Sequence, residues 1–234
     1  MPRDEVGTLS PDRARGPGSG MARRASPGGW GPATPEPRVH RRLSTDPDGA
    51  LIGPNAVLQL VPVLDDALGP AGRRALLARA GVTIAAGDRM IPEADAACAH
   101  QRVRAELGPR AAGLAARAGR LTGEYILAHR IPAPARTLLR TLPPSPAARL
   151  LSKAIAQHAW TFVGSGRLSV DSPYQFTLAA NPVIAGEASD TPLCHWHAAV
   201  FETLYRRLVH PNATCRELAC AATGAPACTF RVTF

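Results

Sequence analysis

A chain of 234 residues with 45% hydrophobic content can bury one generous domain core or two small ones; with only 5% aromatics, that core is built mostly from Ala, Leu and Val. The formal charge of +9 would ordinarily point to nucleic acid, a membrane surface or an acidic ligand, yet Lys153 is the only lysine, and no recognition helix, RNA-binding signature or basic–aromatic interleaving accompanies the arginines, so nucleic acid is not an expected partner. Residues 1–10 lack an apolar stretch, Arg23-Arg24 is not followed by a hydrophobic run, and no window of about 18 apolar residues exists, so the expectation is a cytoplasmic protein without a signal peptide or transmembrane segment.

Residues 1–48 read as a disordered tail, rich in Pro, Gly and Arg and without apolar periodicity; Met21 is an alternative start. The folded domain is expected over 49–234. Val57, Leu60, Val61, Leu64 and Leu68 recur at helical spacing, with Pro62 marking a kink or a restart. Gly69-Pro70 separates this helix from a second one over 71–80, which Gly81 closes. A long helix over 93–118 carries a candidate break at Gly108-Pro109, and 121–129 continues helical. Further helices are expected over 135–141 and 145–158, the latter with Ser145 as its N-cap and Pro146 at its first position.

The composition then turns aromatic and β-branched. Segments 159–163, 167–170 and 174–180, separated by Gly164-Ser165-Gly166 and Asp171-Ser172-Pro173, read as a strand meander. Thr191-Pro192 is expected to open a helix that runs to about Val209 and buries Phe201, Leu204 and Leu208. Two strands, 214–221 and 227–234, close the chain as a hairpin. Helices first and a sheet later make an α+β fold.

Four of the five cysteines lie in this last part: Cys194 ahead of His195, Trp196 and His197, then Cys215, Cys220 and Cys228, with Glu217 among them. Thiolate, imidazole and carboxylate are the ligand types that hold zinc in a tetrahedron, and clustered cysteines in a reducing compartment bind metal more often than they pair. Cys194 at the helix start and Glu217, Cys220 and Cys228 on the hairpin can meet at one corner. One obstacle is geometric: three residues apart on a regular strand, Glu217 and Cys220 would face opposite ways, so the strand must bulge or end between them. On spacing alone, a metal site and a set of small buried thiols beside a surface glutamate both remain open.

The pattern of Cys, 22 residues, Glu-x-x-Cys, seven residues and Cys-x-Phe resembles the C-terminal signature of vinyl-4-reductase domains. The segments from Leu51 to Leu60 and from His158 to Gly166, then Asn181-Pro182 with Gly186-Glu187, and Cys194-His195-Trp196-His197 are similar to the bacteriochlorophyll 4-vinyl reductase family over about residues 50–234. The resemblance implies a structural Zn2+ held by Cys194, Glu217, Cys220 and Cys228, and leaves Cys215 as a packed thiol. It implies the mixed α/β ligand-binding fold shared with nitric-oxide-sensing and Golgi-transport (TRAPP-like) proteins, often dimeric through its helices. It also implies a role in bacteriochlorophyll synthesis, nominally where a divinyl pigment becomes monovinyl, in company with other enzymes of that synthesis and at or near the photosynthetic membrane.

Vinyl reduction needs electrons from a cofactor, and the residues offer no evident nucleotide or flavin site. Gly164-Ser165-Gly166 lacks the third glycine and the following helix of a dinucleotide fingerprint, and no iron–sulfur spacing is present. A zinc site with four protein ligands leaves no open position for a substrate. The expected function is therefore a carrier or assembly factor for a magnesium tetrapyrrole of the divinyl (proto)chlorophyllide class. A genuine reductase with an external electron donor is the alternative, and a small-molecule sensor or adaptor the third. For such a ligand, Arg130, Arg136 and Arg140 are candidate partners of propionates or else a solvated helix face. His158 is a candidate magnesium ligand or a structural histidine, and Trp160 and Trp196 are stacking or core residues. His195 and His197 flank the metal corner, His197 on the inward face. Glu187 is an acid, a cap or neither. The catalytic residues, if there are any, stay unassigned.

Overall fold

The computed structural model describes residues 49–84 and 89–234; the tail expected over 1–48 lies outside them. A two-residue strand, β1 (Leu51–Ile52), pairs antiparallel with β2 (Ile91–Pro92). Between them run α1 (Asn55–Leu58) and α2 (Leu60–Arg79). Pro62 falls in the first turn of α2, where its missing N–H costs nothing, so it marks a restart and not a kink. Gly69 sits inside α2 at φ 72° and ψ 162°, a backbone state that suits glycine, and with Pro70 it divides the two helical halves where the sequence places the break.

Four more helices follow: α3 (Glu93–Leu107), α4 (Arg110–His129), α5 (Ala133–Thr141) and α6 (Pro144–Gln157). The expected break at Gly108-Pro109 separates α3 from α4. Pro143, not Ser145, occupies the N-cap position of α6, and Pro144 opens the helix, so Ser145 lies inside the first turn. The expected strand over 159–163 is instead one helical turn, α7 (Trp160–Val163). Its N–H groups find acceptors locally: Thr161 donates to the His158 carbonyl and Phe162 to that of Ala159. The aromatic and β-branched side chains bury Phe162 and Val163 without a ladder, a case of tertiary context overriding strand propensity.

The sheet comprises β3 (Arg167–Ser172), β4 (Gln175–Ala179), β5 (Thr214–Ala219) and β6 (Cys228–Thr233). All neighbours are antiparallel, in the order β3-β4-β6-β5. The remaining helix, α8 (His195–Leu208), packs between this sheet and α4. On the sheet side Phe201 stacks on Phe176 with centroids 4.6 Å apart and meets Phe230 at 5.3 Å; all three rings are fully buried, each contributing about 2 kcal/mol through the water it no longer orders. Toward α4, Gly119 and Gly123 allow close approach. A Cβ at Gly119 would lie 2.3 Å from the Trp196 carbonyl oxygen, and one at Gly123 would lie 2.6 Å from the Thr203 Cβ. The fold is α+β, with α8 as its central layer.

Candidate functional site

Two places in this framework gather chemistry. The first is a sulfur corner where α8 begins and the β5–β6 hairpin ends. Cys194 is the N-cap of α8, Glu217 lies on β5, Cys220 just beyond it, and Cys228 opens β6. The obstacle seen in the sequence is resolved in both of the available ways. The β5–β6 register slips between Glu217 and Ala219, a bulge that re-aims side chains, and the strand ends at Ala219, so that Cys220 leads a 3-10 turn over Ala221–Thr223.

The ligand atoms of Cys194, Glu217, Cys220 and Cys228 all lie within 4.8 Å of one another. The Cys194 Sγ is 3.9 Å from that of Cys220 and 3.4 Å from that of Cys228, far beyond the roughly 2.05 Å of a disulfide. A tetrahedron with zinc–sulfur bonds of about 2.3 Å has sulfur–sulfur edges of about 3.8 Å, so these separations suit a shared dication. Donors point inward at the sulfurs: the Leu193 N–H donates to Cys220, the Ala221 N–H to Cys228, and the Asn181 amide to Cys194. One Glu217 oxygen accepts the Cys194 N–H at 2.8 Å; the other, Oε1, is buried without a partner.

The electrostatics say the same. Burial pushes the Glu217 carboxyl up to about 9. The hydrogen bonds of Cys194 to its two neighbours raise its own thiol and lower those of Cys220 and Cys228. Three sulfurs and a carboxylate therefore compete for too few protons, and an orphaned buried oxygen faces them. A cation satisfies every one of these groups, so the residues present fit a metal ion.

The corner also explains why α8 starts late. The N–H groups of Leu193 and Cys194 are already bound to Cys220 and Glu217, and that of Thr191 to the Ser189 hydroxyl. The helix thus begins at His195, not at Thr191-Pro192.

The second place is a cavity of about 370 Å3 among the helices, within the range of small-molecule sites. Its floor is buried and largely apolar, formed by Ala56, Ile155, Phe162 and Trp196 with Thr122. The Trp196 indole N–H donates to the Thr122 hydroxyl at 3.1 Å, which in turn donates to the Ala118 carbonyl at 2.9 Å, so the floor's polar atoms are satisfied from within. The rim is exposed and polar: Arg130 caps the C-terminus of α4, His158 caps α6, and Trp160 opens α7 with 56% of its surface exposed.

Of the ligand-binding residues expected from sequence, Arg130, His158 and Trp160 meet at this rim, although they come from three elements. Arg136 and Arg140 do not. Arg136 donates to the Leu127 carbonyl at 2.7 Å and Arg140 to that of Arg207 at 3.1 Å, tying α5 to α4 and α8. One face of α5 cannot serve both its neighbours and the cavity.

Behind the floor lie two buried histidines. The His100 Nε2 is 3.0 Å from the Ala56 carbonyl oxygen and its ring meets Trp196 edge-on. The His197 Nε2 is 3.2 Å from the Phe162 carbonyl oxygen, and its Nδ1 has no partner. Burial lowers their pKa values, to about 3 for His100 and about 4 for His197, so both are neutral. His197 is thus a core residue on the inward face; His195, half-buried at the helix start, does not line the cavity.

Glu187 is bound by Arg104 of α3, whose Nε donates to it at 2.9 Å, while the same guanidinium donates to the Val183 carbonyl at 2.7 Å. It clamps the 3-10 turn Pro182–Ile184 onto α3. The backbone N–H and hydroxyl of Ser165 both donate to Glu93, at 2.7 and 2.8 Å. A carboxylate therefore occupies the place a phosphate would need on the Gly164-Ser165-Gly166 turn. Sequence reasoning missed His100, Arg104 and Thr122; regular helical spacing of polar residues on otherwise apolar faces was the available sign.

The vinyl-4-reductase domain model matches residues 175–234, the stretch from β4 through the sulfur corner to the end of the chain. The bacteriochlorophyll synthase 23 kDa chain of Cereibacter sphaeroides is 52% identical over 184 residues, covering 77% of this chain and 89% of that one. The protein of the same name from Rhodobacter capsulatus is 46% identical over 186 residues, covering 78% and 87%. Among solved structures, the phenol-responsive sensory domain of the transcription activator PoxR is similar at 18% identity, with a TM-score of 0.46 over 69% of this chain and 90% of that one. With about half of all positions shared along more than three quarters of its length, this chain belongs to the family of the bacteriochlorophyll synthase 23 kDa chains.

Proposed function

We propose that this protein serves bacteriochlorophyll synthesis by binding a magnesium tetrapyrrole of the divinyl (proto)chlorophyllide class in the helix-lined cavity and handing it on, as a carrier or assembly factor and not as a stand-alone reductase. The reading rests on one observation: the apolar cavity, walled by Trp196, Phe162 and Ile155, opens through a rim that bears a guanidinium, an imidazole and an exposed indole. A flat apolar macrocycle finds apolar surface on the floor. Arg130 would meet a ring carboxylate with charge-assisted hydrogen bonds, and His158 stands where an imidazole can take an axial position on magnesium. Trp160 would cover the exposed part of the ring.

The sulfur corner has a different part in this proposal. Cys194, Glu217, Cys220 and Cys228 would hold a structural zinc ion, supplying four protein ligands and thereby the tie between hairpin and helix. The names of the two bacterial relatives support the pathway.

The test is a titration of the purified full chain with a magnesium porphyrin. A shift and sharpening of its main absorption band at micromolar concentration is the expected result; an unchanged spectrum would refute the carrier. Incubation with divinyl chlorophyllide and a reductant, without other proteins, should give no monovinyl product. Turnover there would replace the carrier with a reductase.

A further inference from the structure

From Tyr125 to Val170 the chain contains no aspartate or glutamate, while Arg130, Arg136, Arg140, Arg149, Lys153 and Arg167 fall within it. Among the described residues every ion pair lies outside this stretch. Helix α6 shows what the asymmetry builds. Its inward face buries Ala147, Ala148, Leu151, Ser152 and Ile155. Its outward face carries Arg149, Leu150, Lys153, Ala154 and Gln157, all exposed, and at 100° per residue these five fall within one continuous arc. Leu150 leaves 47% of its surface in water. Ala154 belongs to this face and also lines the cavity, so the face runs directly into the rim where Trp160 stands.

We propose that this face of α6, with Trp160 at the cavity mouth, docks on an anionic lipid bilayer. Basic side chains free of carboxylate partners are attracted to acidic headgroups within a Debye length. A leucine and an indole between them suit the apolar–polar boundary where tryptophan concentrates. Neither an acidic protein groove nor a second copy of the chain accounts for the combination as well. A protein groove gives no reason for an exposed indole beside an open cavity, and two copies of this face would set like charges against each other. Docked so, the cavity would open toward the lipid surface, and an apolar ligand could pass between them without crossing bulk water. The docking goes beyond the pigment reading, and its test contains no pigment, so either can fail alone.

The experiment is co-sedimentation of the full chain with vesicles of phosphatidylcholine, with and without about one third phosphatidylglycerol. Binding to the anionic vesicles is expected to be about tenfold stronger than to the neutral ones and to weaken as salt rises. The double variant R149E/K153E should lose about tenfold, L150S several-fold, and R149K/K153R nothing. Unchanged circular dichroism and metal content would show that each variant is folded. Three results would overturn the proposal: no sedimentation with anionic vesicles, sedimentation untouched by R149E/K153E and L150S, or a change in the oligomeric state of L150S in place of lost vesicle binding.

Discussion

The sulfur corner and the cavity lie on opposite sides of α8 and solve opposite problems. At the corner every polar atom points inward at a space that suits one ion, and the surrounding backbone N–H groups are already committed to the sulfurs. In the cavity the polar atoms of the floor are paired with each other, and the charged groups stand outward at the rim. The first arrangement closes on what it holds; the second leaves surface and charge for something that comes and goes. His197 sits between them, its ring against Trp196 on one side and Phe230 on the other, so α8 transmits the rigidity of the corner to the cavity floor. A family whose name points to an enzyme can therefore be built around a metal that keeps shape and a pocket that binds.

The sharpest way to break this contrast is to open the corner. C220A or C228A should release the metal and destabilise the domain by about 4 kcal/mol or more, seen as a fall in melting temperature on the order of 10 °C and as loss of zinc by elemental analysis. A wild-type protein purified without metal would remove the corner's role altogether.

Acid should reach both regions through the buried histidines. Their folded pKa values are depressed from the ordinary 6.5 to about 3 and about 4. The unfolded chain therefore takes up protons first, and the stability contributed above pH 6.5 drains away as pH falls toward those values. By pH 5 each histidine costs about 2 kcal/mol. Denaturant titrations of H100Q between pH 7 and 5 should show a shallower loss than wild type; an equal slope would mean that other groups govern acid unfolding.

The cavity alone is addressed by R130E, which should weaken magnesium-porphyrin binding about tenfold by reversing the charge offered to a carboxylate, with zinc content and melting temperature unchanged. Loss of metal in this variant would show that the two regions are not separable. The smallest effect is expected from C215S. This thiol is half-buried on β5 outside the ligand set, and the change should leave the metal in place and cost about 1 kcal/mol or less. Loss of metal would bring Cys215 into the corner.

Much of this contrast is written locally in the chain. The four corner residues stand out by type and spacing, and the need for a bulge follows from the two-residue period of a strand. The pauses at Gly69-Pro70 and Gly108-Pro109 are where the helices divide. The failures are as instructive. Segment 159–163 has the composition of a strand but is one helical turn, because no partner strand is available and Gly53 takes the Thr161 carbonyl as its acceptor. Three arginines spaced along the end of α4 and α5 look equivalent, yet only Arg130 reaches the cavity.

By itself the sequence determined the ligand chemistry, the helix punctuation and the order of helices before sheet, since a thiol's affinity for metal and the backbone freedom of glycine and proline belong to single residues and their close neighbours. Only the tertiary structure decided which side chains share a cavity, where α8 begins and which face of α6 is left in water. Those depend on elements distant in the chain competing for the same space and the same hydrogen bonds.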